Sequence, residues 1–269
     1  MALSLLSVVN ALLPKDSGSI KLARDVAYGS KPRQRLDIYA PRGSGPWPVV
    51  FFIYGGSWMD GSRYNYDFAG RALAAQGFVT VIADYRLIPQ VEYPGFLQDC
   101  AAAFAWCVEH IGAYGGDAER MALMGHSAGA YNAVMLALDP AYLKARGLLG
   151  RVKAVVGLSG PYDFLPFDGP ISLRTFGAVR GPQATQPINH VTAEAPPMFL
   201  ANGERDTLVG PKNARALARQ LRAVGVGVSE SYYPSMGHGH VVMALSRPLR
   251  KMAPVLAEAT AFLRARLGR

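Results

Sequence analysis

A chain of 269 residues, 50% apolar and 17% charged, has enough apolar material for one large core, which excludes disorder and fibrous repeats. Lys and Arg outnumber Asp and Glu by 28 to 19, a formal charge of +9. The excess is local: residues 212–269 hold ten basic side chains against two acidic ones, Glu230 and Glu258, and no nucleic-acid-binding motif accompanies them.

The chain opens on MALSLLSVVNALLPKD, an apolar run with no basic residue ahead of it, Asn10 inside it and no small-x-small cleavage site. An amphipathic helix ending near Pro14 is predicted, with residues 1–20 packing on the body or forming part of a cap. No run elsewhere approaches the ~18 apolar residues of a membrane span, so no integral membrane segment is expected. Two extended pieces follow, around 23–28 and 35–39. PVVFFIYGG is then a continuous β-branched and aromatic run, the pattern of a strand buried on both faces. A helix over 67–76 leads through Gly77 to a second such strand, FVTVIADYR, and a long alanine-rich helix is predicted near 95–111. Cys100 and Cys107 lie on that helix, about 10 Å apart at ~1.5 Å rise per residue, beyond the roughly 7 Å Cα separation a disulfide spans. They are expected reduced and buried, which suits a cytoplasmic location.

The strand MALMGHS runs into the helix AGAYNAVMLAL, and VKAVVGLSG, PPMFLANG and VSESYY supply three more strands, with helices over 212–224 and 253–266 after the last two. Such alternation predicts an α/β fold, a mostly parallel sheet with helices on both faces and ligands outside the carboxyl ends of its strands. No composition break marks a boundary, so residues 21–269 read as one domain carrying a short cap-like insertion at about 163–190.

Three segments carry chemistry. Gly125-His126-Ser127-Ala128-Gly129 lies between a strand and a helix, where a nucleophile elbow lifts a serine above the sheet and aims the Ala128 amide at a developing oxyanion. A serine hydroxyl needs a base, and the base a carboxylate to fix its tautomer. In chain order Ser, acid, His, the loop after PPMFLANG offers Asp206 or Glu204, and the loop after VSESYY offers His238 or His240. Asp206 is preferred because it lies beyond the strand end and leads into a helix. His238 is preferred because it follows Gly237 at the loop apex, whereas His240 abuts the apolar run VVMAL. His126 is read as structural. Third, Tyr54-Gly55-Gly56-Ser57-Trp58 directly follows a strand, where consecutive glycines let the backbone approach a substrate. The amides of Gly55 and Gly56, with Ser57 as a further donor, can then face the same charge as that of Ala128. Ser57 and Trp58 are expected to touch substrate, with Tyr54 and Phe164 as further pocket walls.

These motifs, with Asp84-Tyr85-Arg86-Leu87 before Pro89, Tyr93-Pro94, Asp99, SGPYDF and the Asp206 loop, resemble the serine esterase branch of the α/β-hydrolase superfamily. The similarity is to the hormone-sensitive-lipase-like bacterial carboxylesterases and the related feruloyl and acetyl esterases, over nearly all the chain after residue 20. Tyr54 and Ser57 stand where that group usually has His and Gly, Gln90 replaces Glu, and His126 replaces the Asp of the hormone-sensitive-lipase group proper. The resemblance implies the α/β-hydrolase fold, hydrolysis of a small ester through an acyl-enzyme, and no cofactor or metal. With a short cap, short- to medium-chain esters are expected. An arylformamidase or a feruloyl or acetyl esterase on the same machinery, and a non-catalytic binding protein, are the alternatives; a homodimer is left open.

Overall fold

The computed structural model describes Asn10 and residues 14–268. The predicted helix at the N-terminus therefore falls largely outside the described residues. Eight strands form one sheet: β1 Ser19–Ala27, β2 Arg35–Pro41, β3 Trp47–Ile53, β4 Val79–Ala83, β5 Gly116–His126, β6 Val152–Leu158, β7 Met198–Gly203 and β8 Val228–Tyr233. Their order across the sheet is β1-β2-β4-β3-β5-β6-β7-β8. β1 and β2 run antiparallel to their neighbours, and the remaining six are parallel.

The burial of each strand follows its place. β4 is wholly buried and β3 nearly so, as expected of strands covered on both faces, and each is correspondingly an unbroken apolar run. β1 lies at the edge, and after the buried Ser19 its positions are half-buried or exposed. The α-helices lying wholly within the described residues are α1 Asp67–Ala75, α2 Gly95–His110, α3 Ala128–Leu138, α4 Pro140–Leu143, α5 Pro170–Phe176, α6 Lys212–Ala223, α7 His238–Met243 and α8 Val255–Leu267. α1 and α8 touch each other on one side of the sheet, and α2 packs on α3 on the other. Phe51 on β3 meets Phe104 of α2 edge to face at 5.8 Å, while its neighbour Phe52 points to the opposite side, toward Tyr66.

Cys100 and Cys107 are both free and buried on α2. Among the described residues, no helix is long and apolar enough to cross a membrane. Most strand and helix positions agree with the sequence expectations to within a few residues, but β1 and β5 start earlier, at Ser19 and Gly116, α5 forms inside the stretch expected to be irregular, α4 is a further short helix, and α7 begins already at His238.

Candidate active site

β5 ends at His126 and α3 begins at Ala128, leaving Ser127 at the junction with φ 55° and ψ −125°. Such a conformation costs on the order of 1–3 kcal/mol for a residue with a side chain. The surroundings hold it in place: a Cβ on Gly125 would stand 2.2 Å from the Gly129 carbonyl oxygen, and one on Gly129 would stand 2.0 Å from that of Ile53. Only glycines let β3, β5 and α3 come together so closely. The Ser127 N–H donates to the Leu158 carbonyl at 2.9 Å, tying the turn to β6.

Chain ends from β7 and β8 complete the group. The Ser127 hydroxyl lies 2.8 Å from His238 Nε2, and His238 Nδ1 lies 2.8 Å from Asp206 Oδ2. An ionised carboxylate can only accept, so Nδ1 carries the proton and Nε2 is the lone-pair nitrogen facing the serine. Asp206 Oδ1 accepts the amides of Leu208 at 3.0 Å and Val209 at 2.8 Å. Burial alone would raise the Asp206 carboxyl, but the hydrogen bond and charge of His238 and these two amides outweigh it and hold the group below its ordinary value. Asn202, buried on β7, donates to the Val209 carbonyl at 3.0 Å and so braces the same turn; no motif marks it in the sequence.

The other candidates lie elsewhere. Glu204 is ion-paired to Arg215 on α6. His240 Nδ1 accepts the Gly237 N–H at 3.1 Å. His238 itself opens α7 instead of occupying a loop apex, so both histidines are helical. His126 is buried, its ring centroid 5.0 Å from that of His238.

The loop after β3 differs in part from expectation. Gly56, Ser57 and Trp58 all have positive φ, at 142°, 54° and 58°. Among the described residues the amides of Gly56, Ser57 and Ala128 have no hydrogen-bond partner. The Gly55 amide was expected to join them, but it donates to the Tyr66 hydroxyl at 3.2 Å and is engaged behind the loop. Gly55 is still needed for close approach, since a Cβ there would meet the His126 carbonyl oxygen at 2.8 Å. Tyr54 is likewise no pocket wall: it is fully buried, stacks on Tyr85 at 4.8 Å and takes a hydrogen bond from Arg33 at 2.7 Å.

Above Ser127 lies a cavity of about 310 Å³, lined by Ser57, Trp58 and Ala128 on the sheet side and by Phe164, Asp168, Ile171, Ser172, Leu208 and Val209 on the outer side. Trp58 forms a fixed wall. Its Nε1–H donates to Asn132 Oδ1 at 3.0 Å, and its ring meets Tyr131 and Phe176 edge to face at 5.2 and 5.0 Å.

The profile of the BD-FAE family matches residues 36–221, from β2 into α6. The chain belongs to the BD-FAE family. The match takes in the loop after β3, the Ser127 elbow and Asp206; His238 lies beyond it. Among curated relatives, this BD-FAE protein is 34% identical over 240 residues to Esterase LipC of Mycobacterium tuberculosis, covering 80% of this chain and 59% of LipC. It is 30% identical over 257 residues to the isoprenylcysteine alpha-carbonyl methylesterase ICME of Arabidopsis thaliana, covering 86% of this chain and 59% of that one. The chain thus spans about three fifths of the length of these relatives. Its structure is similar to that of a thermostable esterase from Pseudomonas putida ECU1011, with TM-score 0.81 and 24% identity over 98% of this chain and 89% of that one. Esterase B from Lactobacillus rhamnosis gives TM-score 0.82 at 22% identity, over 97% and 91%. With the sheet order above, these likenesses show the α/β-hydrolase fold.

Proposed function

We propose that this BD-FAE protein is a serine carboxylesterase acting on short- to medium-chain esters. The observation that carries the reading is the continuous hydrogen-bonded chain Ser127–His238–Asp206, whose serine lines a mostly apolar cavity. In the proposed first step His238 Nε2 takes the serine proton as Oγ attacks the ester carbonyl, and Asp206 stabilises the imidazolium that forms. The amides of Gly56, Ser57 and Ala128 receive the oxyanion; one such donor is worth about 3 kcal/mol in the transition state. His238 then protonates the leaving alcohol, and water, deprotonated by the same nitrogen, releases the acid. No step calls for a metal or cofactor.

The insertion at about 163–190 supplies α5 and Phe164 to the outer wall of the cavity, which supports its role as a short cap on a single catalytic domain over residues 21–269. For residues 1–20 the packing alternative is the one favoured: Asn10 donates to the Tyr64 carbonyl at 2.6 Å and accepts the Phe68 amide at 3.0 Å, and Ser19 and Ile20 open β1 at the sheet edge, none of them lining the cavity. Two buried free cysteines suit a reducing, cytoplasmic setting.

Rates on p-nitrophenyl butyrate and N-formylkynurenine, measured side by side for the wild type and Ser127→Ala, test the reading. The ester is expected to turn over faster, and Ser127→Ala to lose both hydrolysis and covalent labelling by a fluorophosphonate. Residual ester hydrolysis at the wild-type rate in Ser127→Ala would remove the serine from the mechanism, and faster formamide turnover would assign the same site to a formamidase.

A further inference from the structure

Behind the serine, three groups outside the Ser127–His238–Asp206 chain make a second line of hydrogen bonds. The Gly55 N–H lies 3.2 Å from the Tyr66 hydroxyl, that hydroxyl lies 3.1 Å from His126 Nδ1, and His126 Nε2 lies 3.3 Å from the carbonyl oxygen of His238. The protons can be placed in only one consistent way. A backbone carbonyl accepts and never donates, so Nε2 of His126 carries the proton. On a neutral ring Nδ1 is then an acceptor, so the Tyr66 O–H donates to it, and the Tyr66 oxygen is left to accept from Gly55. The line thus joins the loop bearing the proposed oxyanion donors to the backbone of the proposed base.

Resting on the serine-esterase reading, we infer that Tyr66 and His126 are positioning residues which hold the oxyanion loop and His238 at a fixed separation. Neither touches the substrate. Gly55 precedes Gly56 and Ser57, so fixing its amide fixes the plane from which the next two amides project. The carbonyl of His238 is fixed at the other end, which sets where its ring enters the site.

Both residues are themselves firmly held. Tyr66 is fully buried against Phe52, Tyr54 and Phe68, with centroid separations of 5.7, 5.9 and 6.0 Å. It ends the 3-10 turn Arg63–Tyr66, whose first residue donates its amide to Asp84 at 2.7 Å and its Nε–H to Asp37 at 2.9 Å. The His126 ring fits between Tyr66 and His238, and its Nδ1 lies 3.1 Å from where a Gly55 Cβ would stand. A transition state that places negative charge on the ester oxygen and positive charge on His238 at the same moment needs these two elements in register. A neutral link does so without setting a second cation beside the imidazolium. A misplacement of about 1 Å from a distant change can lower a rate a hundredfold.

Tyr66→Phe keeps the ring and removes the hydroxyl; His126→Leu removes both nitrogens. The two variants and their double are compared on p-nitrophenyl butyrate, with kcat expressed per site titrated by a fluorophosphonate so that unfolded protein does not count. Each single change is expected to lower kcat roughly tenfold with KM within about twofold. The double is expected to be no slower than the slower single, because the line is already broken. Per-site kcat within twofold of the wild type in the singles, or losses that multiply in the double, would overturn the inference. Absence of fluorophosphonate uptake by the wild type would instead remove the serine-esterase reading on which it rests.

Discussion

Burial pushes the His126 imidazole down from its ordinary value to about 3, and the neighbouring His238 adds to the depression. In an unfolded chain the same ring titrates near 6.5. Between those values the unfolded state takes up a proton that the native state refuses, so stability is full above about pH 6.5 and falls as the pH drops toward 3. At pH 5 the loss attributable to this residue is about 2 kcal/mol. His126→Leu abolishes the titration, so the drop in melting temperature from pH 7.5 to pH 5 is expected to be smaller in the variant than in the wild type, whatever their values at pH 7.5. Equal drops, read by near-ultraviolet circular dichroism, would show that His126 already takes up its proton in the folded protein. The same neutrality is what lets His126 sit 5.0 Å from the ring of His238.

At the scale of elements, the elbow and the acid and base loops were legible because each is punctuation between regular segments. GHSAG joins a strand pattern to a helix pattern, and the candidate acid Asp206 and candidate base His238 follow strand ends in the chain order usual for serine hydrolases of this fold. The separation of Asp206 from Glu204 was also legible, as two residues decide whether a side chain is still beside the strand or beyond it. What could not be read depends on which way an amide turns in space. Nothing in YGGSW shows that the Gly55 N–H faces Tyr66, and the segment RYNYD carrying Tyr66 has no periodicity or motif that points to a site. α5 escaped for a related reason. It has seven residues, begins at Pro170 and buries only Thr175 and Phe176, too few to show a helical repeat. Yet Phe176 closes the aromatic wall against Trp58, so the depth of the cavity is set jointly by the β3 loop, α3 and α5. Trp58→Ala is expected to deepen the cavity toward Tyr131 and Phe176 and to shift preference to longer acyl chains. The ratio of kcat/KM for p-nitrophenyl octanoate over butyrate should rise roughly tenfold, given ~0.8 kcal/mol per buried methylene. The opened space should also destabilise the fold by about 3–5 kcal/mol. An unchanged ratio in folded protein would place the acyl chain elsewhere.

Across the whole molecule, the basic excess of residues 212–269 is carried away from the cavity and is already partly engaged. On α6 the buried positions Asn213, Ala214, Ala216, Leu217, Ala218 and Leu221 face the body, while Lys212, Arg219 and Arg222 are exposed. Arg222 pairs with Glu230 at 2.6 Å, Arg250 holds Asp16 with two contacts of 2.8 and 2.6 Å, and Arg264 donates to the Gln76 carbonyl at 2.8 Å. The charged side chain lining the cavity is an acid, Asp168. Two fields therefore act on an approaching substrate: a positive one from the shell, which salt screens over about 10 Å at 0.1 M, and a negative one at the cavity wall, which reaches only short distances. A neutral ester is steered by neither, so kcat/KM for p-nitrophenyl butyrate is expected to change less than about twofold between 20 and 500 mM NaCl. An ester bearing a free carboxylate should be attracted by the shell at low salt and lose that advantage as salt rises. At 500 mM NaCl it should remain poorer than the neutral ester, and Asp168→Asn should narrow that difference. A steep salt dependence for the neutral ester would mean that the basic surface takes part in the site itself, and an anionic ester preferred at high salt would show the same of a cation that the cavity does not display.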